Sequence, residues 1–262
     1  MPGTILVKDA IWRVSGLLQD VSPQFTRWPE TEIVNWLNDA QLAVTKFLPS
    51  ATSRIDAVQL TAGTRQSIEN IAFAKCKPGD GSTPAANILG TLFMDFIRNM
   101  GSDGATPGKA ARLVDREVMD SQNPDWHTVT GAVVTQFMFD PRTPRYFYVS
   151  PGVAGTMWAE IAYNAQPIAI PNTGSAGSEL YKVDGGSTTK ISVSDEFLDD
   201  LVNYVCARAF MKNASFAGNG PNAQAYTALF TSSINAKVTA ATGVNPNLQR
   251  LPLAPQPLGQ AS

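Results

Sequence analysis

PETEIVNWLNDAQLAVTKFL, residues 29–48, is the stretch that decides how the chain begins to fold. Pro29 starts a helix, since a first turn has no use for its missing N–H. Glu30 and Glu32 suit the positive end of the helix dipole, and Pro49 stops the helix. Ile33, Leu37, Ala40, Val44 and Phe47 fall at helical spacing on one face, which makes the segment amphipathic. The opposite face carries Asn35, Asn38, Asp39, Gln41 and Thr45. It is uncharged over much of its length, an unusual surface for a helix that meets only bulk water.

Working outward, residues 4–20 form a first helix whose apolar stripe is Leu6, Ala10, Ile11, Val14, Leu17 and Leu18, ended by Asp20-Val21-Ser22-Pro23. After the second helix, Arg54 to Leu60 alternates as a strand. Thr61-Ala62-Gly63-Thr64 reads as a turn, and Arg65 to Ile71 as the returning partner strand. Residues 77–86 and 101–110 are surface loops rich in Gly, Pro, Ser and Asp, bracketing a strand over Ile88 to Ile97. Thr135 to Phe139 and Tyr146 to Ser150 flank the proline-fixed hairpin loop Asp140-Pro141-Arg142-Thr143-Pro144, and Trp158 to Tyr163 is a further strand. Phe137, Phe139, Tyr146, Phe147, Tyr148, Trp158 and Tyr163 fit a small sheet or sandwich lined with rings on its inner face. A sugar- or base-stacking platform is the functional alternative.

Residues 171–190 return to Gly/Ser-rich composition and are expected to contain a mobile loop. Ser194 can cap a helix over 195–213, with Asp195 and Glu196 in its first turn and Leu198, Leu201, Val202, Val205 and Ala209 on its buried face. Gly218 to Pro221 breaks the chain before a last helix, Asn222 to Ala241, which uses Tyr226, Leu229, Phe230 and Val238. From Gly243 to Ser262, Pro246, Pro252, Pro255 and Pro257 exclude a continuous helix or a central strand, leaving an extended arm. Leu248, Leu251, Leu253 and Leu258 give that arm apolar anchors that it cannot bury against itself, which suits them to bind a partner. The expected architecture is α+β: a helical bundle formed by the N- and C-terminal helices, a β-rich central insertion and the extended C-terminal arm. The boundaries fall at 1–53, 54–190, 191–242 and 243–262.

Asp, Glu, Lys and Arg make up 16% of the 262 residues, against about 25% in ordinary soluble domains. Surfaces destined for the inside of an assembly lose charge at their centres, so the composition favours an oligomer. A net charge of −2 and a pI near 5.4 argue against a DNA-wrapping surface. No apolar run is long enough to span a membrane and no signal segment is visible, so the chain is expected to be soluble at synthesis. Cys76 and Cys206 lack zinc or redox spacing and read as buried thiols in a reducing compartment.

Catalytic signatures are missing. Gly104-Ala105-Thr106-Pro107-Gly108-Lys109 is not a Walker loop, because Asp103 stands where its first glycine belongs and Ala110 where the metal-binding hydroxyl belongs. Gly79-Asp80-Gly81 and Ser102-Asp103-Gly104 lack the alternating acids of a calcium loop. His127 is a single imidazole with no second metal ligand nearby, so packing or capping is its expected role, and neither a metal nor a cofactor is expected. Glu30 with Glu32, and Asp195 with Glu196, Asp199 and Asp200, are the candidate carboxylate clusters. Each sits where a helix dipole alone favours acids.

Trp28 to Leu48, Gln59-Leu60-Thr61-Ala62-Gly63-Thr64-Arg65-Gln66, Arg98-Asn99-Met100-Gly101, Pro124-Asp125-Trp126-His127, Phe139-Asp140-Pro141-Arg142 and Tyr146-Phe147-Tyr148-Val149-Ser150-Pro151 occur in an order that resembles the head-to-tail adaptor proteins of short-tailed bacteriophages. The resemblance covers roughly residues 5–240. It implies a virion protein made in the host cytoplasm and assembled as a ring, usually of twelve copies, beneath the portal protein. Such a ring joins the portal to the tail nozzle protein, touches neighbouring copies of itself and surrounds a channel through which DNA passes without sequence-specific binding. No catalytic residue transfers with the resemblance. The competing readings are a tail-associated cell-wall hydrolase, which needs a true carboxylate pair, and a carbohydrate-binding receptor module, which needs exposed rings.

Overall fold

The amphipathic helix α2 (Glu30–Phe47) forms as its sequence pattern dictates, with Ile33, Leu37, Ala40 and Val44 fully buried. The computed structural model describes residues 4–20, 27–79, 87–172, 181, 188–212 and 218–243, and over these it is an α+β fold with five α-helices and two sheets. Helix α1 (Val7–Leu17) precedes α2 and is shorter than 4–20. Leu6 is taken instead into an antiparallel bridge with Lys190, and Leu18 closes the helix. A 3-10 turn (Pro49–Thr52) leads into β1 (Ser53–Gln59) and β2 (Gly63–Ser67). A second 3-10 turn (Phe73–Lys75) precedes β3 (Cys76–Pro78), β4 (Gly90–Met100), β5 (Arg112–Leu113) and the short α3 (Arg116–Gln122). After the 3-10 turn Pro124–His127 come β6 (Thr130–Gly131), β7 (Gln136–Phe139), β8 (Tyr146–Val153) and β9 (Trp158–Ala165). Helices α4 (Leu198–Lys212) and α5 (Asn219–Gly243) complete the described chain.

Helices α1, α2, α4 and α5 share one core, in which α4 packs against the other three. Ile11, Val14, Ile33, Leu37, Leu201 and Val205 meet there with no exposed surface. Three expected core positions lie outside it: Leu17 (47% exposed), Phe47 (57%) and Leu229 (53%). Each sits at the end or flank of its helix, and Phe47 meets Phe230 edge-on, with ring centroids 6.4 Å apart. Helix α5 starts at Asn219, before the expected 222, because Pro221 falls in the first turn, where it withdraws no needed donor. Its inner face is Ala223, Phe230 and Ile234, with Tyr226 and Val238 partly buried beside them. Ser194 occupies the position before the helical turn Asp195–Phe197 but makes no side-chain cap.

The expected β1–β2 hairpin does not form. Strand β1 lies between β3 and β9, with β4 on the far side of β9, whereas β2 pairs with β8 in a second sheet ordered β2-β8-β7-β5, with β6 also on β8. The connection carries the chain from one sheet to the other. Gly63 adopts φ 99°, and the Gln66 amide donates to the carbonyls of Thr61 (2.8 Å) and Gly63 (3.1 Å) while accepting from the Thr61 N–H (2.8 Å). The β7–β8 hairpin around Asp140–Pro144 forms as read. The expected loop 77–86 contributes its first residues to β3, and residues 80–86 lie outside the described chain.

Strand β4 slips by one residue against β9 at three places, Gly90/Leu92, Phe93/Asp95 and Phe96/Arg98. Each bulge adds one residue to the ordinary alternation, so inward positions recur every third residue, at Phe93, Phe96 and Asn99. Phe93 stacks on Phe147 at 4.1 Å between centroids, and Phe96 on Phe137 at 5.8 Å. These rings join the four-stranded sheet to the other, and Phe137, Phe147 and Tyr163 line the inner face as the aromatic density implies, whereas Tyr148 packs on the outer side against Trp126 and Trp158 lies under Lys77. On the outer side of the second sheet, Trp126 packs with Met119 and Met138 and donates its indole N–H to Asp120 at 2.8 Å.

One buried ion pair locks α5 to α4. Lys237 Nζ bonds the Asp200 carboxylate and donates to the Glu196 carbonyl at 2.6 Å, while Asp200 has no exposed surface. Lys237→Met is expected to destabilise the fold by about 3 kcal/mol, since it strands a buried carboxylate. Adding Asp200→Leu is expected to recover much of that loss in urea unfolding.

Candidate interaction surfaces

Most of the acidic residues singled out from the sequence have carboxylates committed to separate neighbours, and Glu196 contributes only its backbone carbonyl. Glu30 is buried and accepts the Tyr181 N–H at 2.8 Å. Glu32 pairs with Lys212 at 2.6 Å. Asp195 accepts the backbone N–H groups of Thr4 (2.7 Å) and Ile5 (3.1 Å) as well as the Thr4 hydroxyl. Asp199 lies 3.6 Å from Arg13, Asp200 pairs with Lys237, and the Glu196 carbonyl receives the same lysine. These acids fasten the chain start, the 166–193 return and α5 to the helical core.

His127 is exposed at its edge, stacks on Trp126 with centroids 3.7 Å apart, and shares a 3.0 Å hydrogen bond between Nδ1 and the Thr64 hydroxyl. That is a packing role. Among the described residues no group of three His, Cys, Asp or Glu is placed to hold a metal. Burial pushes the Cys76 and Cys206 thiols up to about 12, which leaves both protonated and unreactive.

The loop 101–109 is a turn system. Asp103 accepts from the N–H groups of Ala105 and Thr106 and from the Thr106 hydroxyl, which brings its carboxyl down to about 2. Asn99 anchors this loop, its amide donating to the Lys109 carbonyl (2.7 Å) and the Val134 carbonyl (2.8 Å) while its oxygen accepts the Val134 N–H (2.9 Å). No sequence motif advertises that role for Asn99. Of the seven rings read as a possible stacking platform, Phe137, Phe147, Trp158 and Tyr163 are buried and Phe139, Tyr146 and Tyr148 partly so. An open cleft of about 500 Å³ between α2 and α4 is lined by Glu32, Asn35, Trp36, Arg208, Met211 and Lys212. Its charges are also engaged: Glu32 with Lys212, and Arg208 with the Tyr204 hydroxyl at 2.8 Å.

The uncharged face of α2 is occupied by the chain returning from the sheets. Asn38 donates to the Ile170 carbonyl (3.1 Å) and accepts its N–H (2.7 Å), Gln41 accepts the Ser192 N–H (2.8 Å), and Asn172 reaches Asn35 and the Thr31 carbonyl, each at 3.0 Å. Most of the stretch expected to be a mobile loop, 173–180 and 182–187, lies outside the described residues. So do Leu248, Leu251, Leu253 and Leu258.

With no built catalytic centre among these groups, the comparison with known families is informative. The family model described as SU10 adaptor protein matches residues 7–250. The chain belongs to the SU10 adaptor protein family. The match agrees with the resemblance to phage head-to-tail adaptors and runs beyond α5 to include Leu248. A comparison with curated proteins gives no match. An adaptor is by name a structural protein rather than an enzyme, and among the described residues of this one no helix is long and apolar enough to cross a membrane.

Two expectations follow from the acids of this SU10 adaptor. Glu30→Gln keeps an acceptor for Tyr181 and is expected to cost about 1–2 kcal/mol in denaturant unfolding. Glu32→Gln loses a partly exposed pair worth at most about 1 kcal/mol. A cell-wall-degrading activity abolished by the double change would instead mark a hydrolase. Hydrogen bonds, the Thr4 hydroxyl first, hold the Asp195 carboxyl below its ordinary value of 3.8. A depressed acid stabilises the fold above its unfolded pKa and loses that contribution as pH falls through the folded one. Amide exchange at Thr4 and Ile5 is therefore expected to accelerate, relative to the helical core, once the pH drops below 3.8.

Proposed function

We propose that the protein is a head-to-tail adaptor that assembles as a ring, usually of twelve copies, between the portal protein and the tail nozzle protein of a short-tailed bacteriophage virion. The family match over residues 7–250 carries this reading. In it, the protein is made in the host cytoplasm, and DNA passes through the ring channel without sequence-specific contact. The helices from both chain ends act as a bundle for side-by-side packing, with the β part as an insertion that reaches neighbouring subunits and the C-terminal arm as a docking segment. Leu248, Leu251, Leu253 and Leu258 are its anchors. Repetition around the ring turns individually weak contacts into a stable attachment.

Low charge density and acids spent on internal contacts support a surface built for assembly rather than chemistry. Mixing the purified protein with its own phage's portal ring is expected to give a stoichiometric ring complex in sedimentation velocity, even where the protein alone stays monomeric, because a template lowers the orientational cost of closing a ring. No association at high concentration would refute the adaptor reading. Deleting residues 244–262 is expected to leave thermal unfolding nearly unchanged and to weaken attachment strongly. A truncated chain that unfolds markedly earlier and still binds the portal normally would make the arm part of the fold.

A further inference from the structure

Strand β1 is inverted relative to an ordinary half-buried strand. Its inward positions are Arg54, Asp56 and Val58, where Asp56 takes the Arg54 guanidinium at 2.9 Å and the Tyr163 hydroxyl at 2.6 Å. Its outward positions include Ile55, 53% exposed, and Ala57. The register sets Ile55 beside Ala162 of β9, and Ala162 beside the bulged pair Met94 and Asp95 of β4. Met94 is 48% exposed, and Asp95 is exposed and makes no ion pair among the described residues. The neighbouring outward charges, Arg98 and Glu160, neutralise each other at 2.7 Å. The outer face of the four-stranded sheet thus exposes Ile55 and Met94 beside Asp95, while its exposed cation on β3, Lys77, sits 5.2 Å over the Trp158 ring.

We propose that the C-terminal segment of one copy lies along this strip on a neighbouring copy, with Leu251 and Leu253 over Ile55 and Met94 and Arg250 facing Asp95. The assignment rests on the ring reading above and names the surface its arm would bind. Charge complementarity supports it: residues 244–262 contain Arg250 and no acidic side chain, opposite in sign to Asp95, which makes no ion pair among the described residues. Length supports it too. Helix α5 ends at Gly243, and 19 residues beyond it, if extended at about 3.3 Å each, would cover on the order of 60 Å. Leucines at 251 and 253 would share a side of an extended chain.

The test uses the full chain bound to its portal ring. With Asp95→Cys and Arg250→Cys together, mild oxidation is expected to give a ladder of covalently linked chains on a non-reducing gel, and either single variant to give none. Cys76 and Cys206 are buried and stay silent. Asp95→Arg is expected to weaken ring assembly about two- to fivefold, and Arg250→Glu in the same chain to restore it. A ring that forms without cross-links, or with links only inside one chain, overturns this assignment and leaves the adaptor reading intact. Failure of the unmodified protein to form any ring with the portal overturns both.

Discussion

Asn38 and Ile170 exchange two hydrogen bonds, and the rest of the architecture depends on this clasp. A chain that leaves the helices at β1 and spends over a hundred residues in sheets must return to the same helices before α4 begins, and its backbone donors and acceptors must be satisfied on the way. An irregular segment has no ladder of its own, so α2 supplies one from side chains. Asn38 serves Ile170, Gln41 serves Ser192, and Asn35 and the Thr31 carbonyl hold Asn172. The returning segment then delivers Ile170, Tyr181, Ile191 and Val193 into the helical core. A charged residue at 38 could not serve both the donor and the acceptor of Ile170, which explains why that position is polar yet uncharged.

The β part is governed by a different constraint, the need to aim large rings from a strand whose simple alternation would point half of them at water. Three bulges in β4 meet it by bringing Phe93 and Phe96 to the same side. The same bulges place Met94 and Asp95 together on the outer face, so the packing of the core shapes the surface that remains. Inversion of β1 has a similar origin. Tyr163 sits deep in the core, and its hydroxyl requires a partner there, which Asp56 provides. Burial and that carboxylate together push the phenol well above its ordinary range, so it remains a donor at any physiological pH.

Much of this was legible in the sequence because periodicity reports burial directly. Helices α1, α2, α4 and α5 and the Asp140–Pro144 hairpin follow from apolar spacing and proline placement, whereas the short α3, with one buried residue, Met119, has too little periodicity to be read. Partner choice between strands was not legible, since a turn signal such as Thr61-Ala62-Gly63-Thr64 fixes a change of direction and not the neighbour that follows. Leu60 donates instead to Met157, almost a hundred residues away. The same limit hid the role of the acids, because a helix dipole explains Glu30 and Asp195 as well as their real partners, Tyr181 and Thr4, do. Asn38 and Gln41 did announce themselves through the missing charge around them, although nothing in the pattern told what would occupy that face.

Charge also links the fold to the proposed ring. Every exposed charge on a subunit is repeated in each copy, so an unbalanced one near a subunit boundary generates repulsion at every repeat, whereas a balanced or absent one generates none. After Asp200 the sequence contains no further acidic side chain, and the 25-residue helix α5 carries a single charge, Lys237, which Asp200 neutralises from within. Its exposed side is therefore mostly alanine, serine, threonine, asparagine and glutamine, with Leu229 the exposed large apolar residue among them. A free monomer gains solubility from charges on such a long exposed helix and has no reason to shed them. In a ring, an uncharged helix lets identical copies approach closely without desolvating ions. The internal pairing of Lys237 achieves this while keeping α5 fastened to α4.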